Sequence, residues 1–408
     1  MAAALSKNMV RRIALTAGSG LVLTLAACGD SGSGSGSGGG GEGGGTIVIG
    51  YSAGISGGAA EYGINVQNGL QMAIDEINEA GVEIDGEKYT VTLESLDDQY
   101  QPSATGTNAQ RLVQSEGASV VFIPHAGGIK AAQELNSSGR TDFLIGAYSS
   151  DPAILDSDNP LTVMIPPSFV SYIAPFIEKA DTQGKGKLGL LATSSEFGQQ
   201  WTKHATKAWE DAGGTVLANN NVNYGTVSDF AGPVSKTLAG NPDVILVGGP
   251  SQPTAIVIEE ARKQGFEGTF MILDQAKFEE LEKFTDPENL NNSVGIAPLT
   301  EFEGTADWIK RYEDKYGSEK PVNADIALNY QALPIFIKAM EKAGTTDDPA
   351  AIREAIGESI TEVDDKQRVA FAPSRISDKG HLLAEDLVAA YRTEDGKYEA
   401  FPVEQPEE

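Results

Sequence analysis

Residues 46–82 read TIVIGYSAGISGGAAEYGINVQNGLQMAIDEINEAGV, and this stretch decides the fold. Apolar and polar residues alternate over 46–53, which predicts a strand, and a Gly/Ser-rich turn follows over 54–60. A helix comes next, because apolar side chains recur at three- and four-residue intervals until Gly81 ends the pattern: Val66, Leu70, Ala73, Ile74 and Ile77. A strand, a turn and an amphipathic helix in this order are typical of an α/β sheet protein.

The same alternation continues along the chain. Further strands are predicted at 89–96, 119–123, 142–146, 188–192, 244–247 and 269–273. Helices are predicted at 103–116, from near Ile129, and at 199–212, 253–264, 306–316 and 324–342. Short apolar runs that alternate with amphipathic helices indicate parallel sheets covered by helices on both faces. No repeat of 20 to 50 residues is visible, which argues against solenoids and propellers.

The first 27 residues have the pattern of a secretory signal peptide. Lys7, Arg11 and Arg12 precede an apolar run that ends in Leu25-Ala26-Ala27 directly before Cys28, the only cysteine of the chain. This ending resembles the lipobox of bacterial lipoproteins, so Cys28 is the predicted lipidation site. The alternatives are an ordinary cleavage site with an incidental cysteine, or an uncleaved membrane anchor. Residues 28–45 are then a lipidated cysteine followed by a flexible Gly/Ser tether.

Composition limits the partners of the globular part. Roughly 360 residues follow the tether, which suggests two domains at about 100 to 200 residues each. The formal net charge of the chain is −28, and such a surface repels nucleic acid and anionic lipid. The predicted lipid anchor would therefore have to attach the protein to the membrane. The three histidines, His125, His204 and His381, have no metal-ligand spacing, and no metal or cofactor is expected.

The segments that directly follow the predicted strands are candidates for the binding loops. In open parallel sheets, ligands bind beyond the carboxyl ends of the strands. Here these segments are rich in small, polar and aromatic residues: 56–62, 97–101, 125–128, 147–150, 194–197, 249–251 and 274–275.

Four motifs give the chain a family resemblance. The opening stretch is similar to the first strand, Ser-Gly turn and first helix of the leucine/isoleucine/valine-binding-protein group of type I periplasmic binding proteins, which serve ABC importers. LESLDDQYQPSAT over 93–105 resembles the Asp-Asp-x-x-x-Pro segment of that group. SSEFGQQW over 194–201 looks like the Tyr-Gly start of the second lobe's first helix, with Phe197 in place of the tyrosine, and DVILVGG over 243–249 matches a later strand.

The resemblance implies two lobes, each a parallel sheet with helices on both faces, joined by three crossings of the chain near Pro166, Ala297 and Phe371. The first lobe is then assembled from 46–165 and 298–370, and the second from 166–297 and 371–408. A ligand would bind in the cleft between the lobes, and hinge closure would present the loaded protein to a membrane permease.

The family binds an amino-acid carboxylate with hydroxyl and main-chain N–H groups of two first-lobe loops. In this chain the first loop is His125, Ala126, Gly127 and Gly128, and the serine expected there is missing. His125 or the glycine amides would have to replace it, whereas the alternative is that His125 only packs. In the second loop, the resemblance assigns Tyr148, Ser149 and Ser150, with a helix cap as the alternative role. Tyr62 is expected to cover the ligand.

The second lobe supplies the remaining predicted contacts. The positions that match the family are Phe197, Pro250, Ser251, Asp274 and Gln275. Asp274 follows the apolar run FMIL, where the family places the acid that binds the ligand ammonium; a capping acid is the alternative. Pro250 replaces a family aromatic residue, which predicts a different side-chain pocket.

These observations predict an extracytoplasmic, lipid-anchored monomer of an ABC importer. It would capture an amino acid or a related small polar molecule and deliver it to permease subunits, and it would not bind nucleic acid. A lipid-anchored sensor of an amide, urea or amino acid is the alternative. An enzyme is disfavoured, because the chain lacks a P-loop and a Cys/His pair outside the signal.

Overall fold

The computed structural model describes residues 44–180 and 186–405, so the predicted signal peptide, Cys28 and nearly all of the tether lie outside the described residues. Two separate sheets form the centres of two lobes. The first sheet consists of β1 (Gly45–Ala53), β2 (Val82–Ile84), β3 (Glu87–Asp97), β4 (Val120–Ile123), β5 (Leu144–Ala147) and β6 (Thr162–Met164). Its strand order is β2-β3-β1-β4-β5-β6, and only the short edge strand β2 pairs antiparallel.

The second sheet has a parallel centre and an antiparallel edge. Its parallel strands are β7 (Lys187–Ala192), β8 (Thr215–Asn219), β9 (Val244–Gly248), β10 (Thr269–Ile272) and β11 (Ser293–Ile296). A small two-stranded sheet follows, β12 (Pro373–Ile376) with β13 (Leu382–Ala384). The chain then returns with β14 (Leu387–Arg392) and β15 (Tyr398–Val403), which add to β11 antiparallel. The order is β15-β14-β11-β10-β9-β7-β8.

Eleven α-helices connect or cover the strands in the described part of the chain. They are α1 (Ala60–Ala80), α2 (Pro102–Gln114), α3 (Ala126–Ser137), α4 (Val170–Ala180), α5 (Glu196–Asp211), α6 (Ala231–Leu238), α7 (Ser251–Lys263), α8 (Phe278–Phe284), α9 (Ala306–Tyr316), α10 (Ala324–Ala343) and α11 (Pro349–Ser359). None of the helices within 44–180 and 186–405 is long and apolar enough to cross a membrane. The two-lobed α/β architecture predicted from the sequence is confirmed.

Two kinds of prediction were wrong in detail. Three helices begin two or three residues earlier than predicted, at Ala126, Glu196 and Ser251. The first two are capped by His125 and Ser195, polar residues that the prediction left in the loops. The sheets are also not wholly parallel. The antiparallel strands β14 and β15 lie beyond the last predicted strand, and the periodic pattern there is short and interrupted by charged residues.

The chain passes between the sheets near the predicted crossings. First-sheet strands end at Met164 and second-sheet strands begin at Lys187, while β14 and β15 return to the second sheet after α9 to α11. Between them, the β12–β13 pair lies against the edge of the first sheet, where His381 forms a bridge to Met164. The lobe boundaries near Pro166, Ala297 and Phe371 therefore stay a proposal.

Helices α1 and α10 pack closely against the first sheet and against each other. The contact depends on Gly69, because a Cβ atom there would lie 2.3 Å from the main-chain oxygen of Ile326. Fully buried side chains surround the contact, among them Leu70 of α1 and Tyr330 of α10. The close approach holds the first turn of α10, and therefore Asp325, at a defined place beside the cleft.

We predict that Gly69→Ala lowers the free energy of unfolding by about 1 to 3 kcal/mol, since α10 has to shift to accept the methyl group. Gly106→Ala in α2 is the matched control, because its Cβ would meet only the Ala131 Cβ, at 3.8 Å. The control should be neutral or stabilising by up to about 1 kcal/mol, the helix preference of alanine over glycine. Urea unfolding measures both, and equal effects would contradict the close-packing argument.

Candidate ligand-binding site

A small cavity lies between the two sheets, at the carboxyl ends of their parallel strands. Its volume is about 30 Å³, which is room for about two water molecules. The lining residues come from both lobes: Tyr62, Tyr100, Pro124, His125, Ala126, Tyr148, Ser149, Ser150, Pro166, Phe197, Asp274, Gln275, Lys277 and Asp325. We call this space the inner cavity.

A larger pocket continues from the inner cavity toward the cleft mouth. Its volume is about 610 Å³, and it shares Tyr100, His125, Ala126 and Phe197 with the inner cavity. We call it the outer pocket. The four shared residues form the boundary between the two spaces, where the rings of Tyr100 and His125 stack with their centres 4.6 Å apart.

The predicted site residues separate into three groups. Those on the inner cavity wall are Tyr62, His125, Ala126, Tyr148, Ser149, Ser150, Phe197, Asp274 and Gln275. Gly127 and Pro250 line only the outer pocket. Ser251 lies in neither wall; its hydroxyl accepts a hydrogen bond from the main-chain N–H of Lys277, so it supports the loop that carries Lys277. The sequence placed these three in direct ligand contact, and the structure places them outside the inner cavity.

His125 is a wall residue whose ring nitrogens are both occupied. Nδ1 accepts the N–H of Gly128 at 3.0 Å and so caps α3, while Nε2 lies 3.1 Å from both Asp98 Oδ2 and Thr105 Oγ1. The hypothesis that the imidazole replaces the missing serine as a donor is therefore not supported, because no ring nitrogen is left for a ligand. The main-chain N–H of Gly128 donates to this cap, so it is not available to a ligand either.

The loop after β5 combines wall and capping roles. Asp151, not Ser150, caps the short turn that follows, because its carboxylate accepts the N–H of Ala153 at 3.0 Å. Ser149 accepts the N–H of Asp151, whereas the Ser150 hydroxyl is directed to the Asp274 carboxylate. The Tyr148 hydroxyl donates to Asp325 Oδ1 at 2.7 Å.

Asp274 is a buried acid of the second-lobe wall. Its Oδ1 accepts the indole N–H of Trp201 at 2.7 Å. Burial raises the pKa of the Asp274 carboxyl, and the nearby Lys277 ammonium with the Ser150 and Trp201 hydrogen bonds partly offsets this shift. The acid is thus positioned by neutral donors and lies beside a positive charge of the protein itself.

Sequence reasoning missed Tyr100, Pro124, Pro166, Lys277 and Asp325. The most consequential are Lys277 and Asp325, which form an ion pair at 2.8 Å with side chains only 6% and 1% exposed. Burial alone would lower the pKa of Lys277, but the charges of Asp325 and Asp274 outweigh burial and raise it. Nothing local distinguishes these residues: Lys277 follows the loop after β10, and Asp325 reads as an ordinary acid in the first turn of a helix.

The cleft is closed by polar contacts between the lobes. Besides Lys277 and Asp325, the Gln275 amide donates to the Tyr100 hydroxyl at 2.9 Å. At the back of the cleft, Asn65 and Asn323 of the first lobe both donate to Glu280 Oε1. Burial, followed by the Asp325 charge, raises the pKa of Glu280 to about 8. Nearer the surface, Lys130 pairs with Glu196.

The wall of the inner cavity has the chemistry of a site for a small polar ligand. The described residues contain no group of three or more His, Cys, Asp or Glu side chains that could hold a metal ion. Aromatic rings, hydroxyls, acids and one ammonium group line this space. Two sheets whose strand ends enclose such a cavity define the class of solute-binding proteins that close on a ligand.

Comparison with known proteins gives the family. The chain belongs to the periplasmic binding protein family, whose sequence model matches residues 46–397. Leu/Ile/Val-binding protein homolog 8 of Brucella abortus is 26% identical over 322 residues, which cover 74% of this chain and 77% of that protein. Homolog 1 of Brucella suis is 24% identical over 326 residues, covering 76% and 82%. The family resemblance predicted from the sequence is confirmed.

Solved structures show the same fold. The leucine-binding protein LivK of Thermotoga maritima superposes with a TM-score of 0.70 at 19% identity, covering 88% of this chain and 99% of that one. LivJ of Streptococcus pneumoniae, crystallised with isoleucine, has a TM-score of 0.70 at 20% identity, with the same coverages of 88% and 99%.

We predict that Glu280 makes stability depend on pH. An acid whose pKa rises on folding, here from 4.5 to about 8, favours the folded state at low pH, and that contribution is lost as the pH rises through this window. Glu280→Gln should therefore gain melting temperature relative to the wild type between about pH 5 and pH 8. The exposed Glu210→Gln should follow the wild type. A constant difference between Glu280→Gln and wild type across that range would refute the assignment.

Proposed function

We propose that this protein captures an amino acid or a related small polar molecule outside the cytoplasmic membrane and delivers it to the permease of an ABC importer, without transforming it. The observation that carries the proposal is the inner cavity, which both lobes enclose with polar and aromatic side chains at the strand ends. The curated relatives are named as Leu/Ile/Val-binding proteins, and this supports a solute of the amino-acid class.

Capture would use the two lobes as a clamp. The first-turn amides of Ala126 and Gly127 have no hydrogen-bond partner among the described residues, and an anionic or carbonyl group at the boundary of the inner cavity could accept from them. Ser149, Ser150, Tyr148 and Asp274 are the proposed polar contacts deeper in the cavity. Tyr62, Phe197 and Gln275 complete the wall.

Delivery would follow from hinge closure. The contacts between Gln275 and Tyr100 and between Lys277 and Asp325 exist only while the lobes meet, so they distinguish a closed from an open protein. A ligand that contacts both lobes favours the closed arrangement by its extra contacts there. A permease that recognises the closed surface would then receive only loaded protein.

Membrane attachment is proposed from the sequence alone. The Leu-Ala-Ala-Cys ending of the signal and the Gly/Ser segment behind it suit a lipid-anchored protein on a flexible tether.

Expression of Cys28→Ser in a bacterial host tests the anchor. The variant should appear in the soluble extracytoplasmic fraction or remain as an uncleaved precursor, whereas the wild type should stay with the membrane and incorporate labelled fatty acid. The same fractionation and labelling for both proteins would rule out the anchor while leaving the binding proposal intact.

A thermal-shift screen of the purified protein tests the binding function. Any ligand that binds only the folded state raises the free energy of unfolding, by about 2.7 kcal/mol at a ligand concentration of one hundred times Kd. The melting temperature rises with it. The screen should include the common amino acids, short amides, urea and polyamines. We expect at least one hit, and catalytic turnover of that hit would replace the binding proposal with an enzymatic one.

Tyr62 provides a site-specific test of the hit. Its hydroxyl lies on the cavity wall and makes no hydrogen bond with the described residues. We predict that Tyr62→Phe weakens binding about fivefold to tenfold, the loss of one hydrogen bond to the ligand. Tyr172→Phe is the matched control, because Tyr172 is equally buried but lies outside the cavity wall. Titration calorimetry measures both, and an unaffected Tyr62→Phe would place the ligand elsewhere.

A further inference from the structure

Lys277 is the one ammonium group on the wall of the inner cavity. Its Nζ atom contacts two acceptors, Asp325 Oδ1 at 2.8 Å and the main-chain oxygen of Asp274. Lysine is rarely buried to this degree without a paired acid. The side chain starts in the second lobe and ends at an acid of the first lobe, so the cavity closes around a cation that belongs to the protein.

The position of this cation conflicts with a ligand ammonium group. An amino acid needs a carboxylate or carbonyl acceptor for its ammonium in a desolvated site. Here Asp325 Oδ1 and the Asp274 main-chain oxygen already bind Lys277, and the Asp274 carboxylate accepts from Trp201 and Ser150. The free carboxylate oxygen of this wall, Asp325 Oδ2, belongs to a group whose charge Lys277 already balances. A second cation would lie close to Nζ in an interior of low dielectric, where repulsion between like charges is strong.

Two acceptors in the same wall have no partner. Asp325 Oδ2 and Gln275 Oε1 are buried and make no hydrogen bond with the described residues. Asp325 is 1% and Gln275 6% exposed, and both residues line the inner cavity. A buried acceptor without a donor costs about 1 to 3 kcal/mol, so a ligand that supplies N–H groups to Asp325 and Gln275 gains from both acceptors.

The complement of this wall is a group with donors and an acceptor but no charge. A planar C(=O)–NH₂ group can donate its N–H bonds to Asp325 and Gln275 and accept a hydrogen bond from Lys277. The inner cavity is small, with a volume of about 30 Å³. Any larger remainder of the ligand has a path past Tyr100 and Phe197 into the outer pocket.

We propose that Lys277 is the specificity-determining residue of the cleft: its ammonium group takes the place of a ligand ammonium, so the site prefers an uncharged carboxamide or ureido head group over a zwitterionic amino acid. This inference rests on the proposed function, because it names the chemistry of a ligand in the same cleft.

The test compares the wild type with Lys277→Met and Lys277→Ala, using the full purified chain and the probes acetamide, urea, glycine and L-leucine. The wild type should be stabilised by acetamide or urea more strongly than by glycine or L-leucine. Lys277→Met should lose affinity for the amide probes by at least about tenfold, the effect of one hydrogen bond to a charged group. Lys207→Ala, which removes an exposed lysine of α5, should leave every probe unchanged.

A chemical rescue gives a readout that does not depend on the natural ligand. The Lys277→Ala variant lacks the ammonium group that pairs with Asp325, and added ethylammonium can occupy the space that the side chain leaves. Ethylammonium should therefore raise the melting temperature of this variant and not that of the wild type. If Lys277→Ala is unfolded in buffer, recovery of its folded circular-dichroism spectrum with ethylammonium is the same result. Failure of ethylammonium to distinguish the two proteins overturns the inference.

The probes also separate the inference from the proposed function. Tighter binding of glycine or L-leucine than of the amide probes to the wild type overturns the role of Lys277 but leaves solute capture standing. No stabilisation by any probe or by any member of the wider screen overturns both. Amide binding that Lys277→Met does not weaken supports solute capture and overturns the assignment of specificity to Lys277.

Discussion

A buried ion pair between Lys277 and Asp325 joins the two lobes, and the closed form of the cleft depends on it. Either charge alone in this interior would cost several kcal/mol, so neither side chain can be buried unless the other lobe brings its partner. In water both charges would be solvated and this cost would be absent. The attraction between the buried charges and their lost hydration nearly balance, as is common for buried pairs. The pair therefore joins the lobes with a small net free energy.

The packing of the first lobe makes this pair possible. Asp325 lies in the first turn of α10, whose start is capped by Asn323 and whose distance from α1 is set by Gly69. On the other side, the hydroxyl of Ser251 binds the main-chain N–H of Lys277 and orients the short loop before α8. Each partner is thus positioned by contacts within its own lobe.

Polar residues after parallel strands have two roles here, and the same amino-acid types serve both. His125, Asp151 and Ser195 accept main-chain N–H groups at the start of the helix or turn that follows. Tyr148, Ser150 and Asp274 instead face one another across the inner cavity. A helix start leaves several N–H groups without partners, so some strand-end polar residues are required for capping whatever the ligand is. This is why the strand-end criterion also selected His125, whose ring caps α3, and Ser251, which supports the loop before α8.

The alternation of strands and helices and the family could be predicted from the amino-acid sequence, because hydrophobic periodicity, motifs and the order of elements are local properties. Three features could not: which strand-end residues cap helices, where β14 and β15 join the second sheet, and the contact of Lys277 with Asp325, 48 residues apart in the chain. A charge pair between lobes leaves no periodic pattern in either segment. Its two members become neighbours only when both lobes have folded.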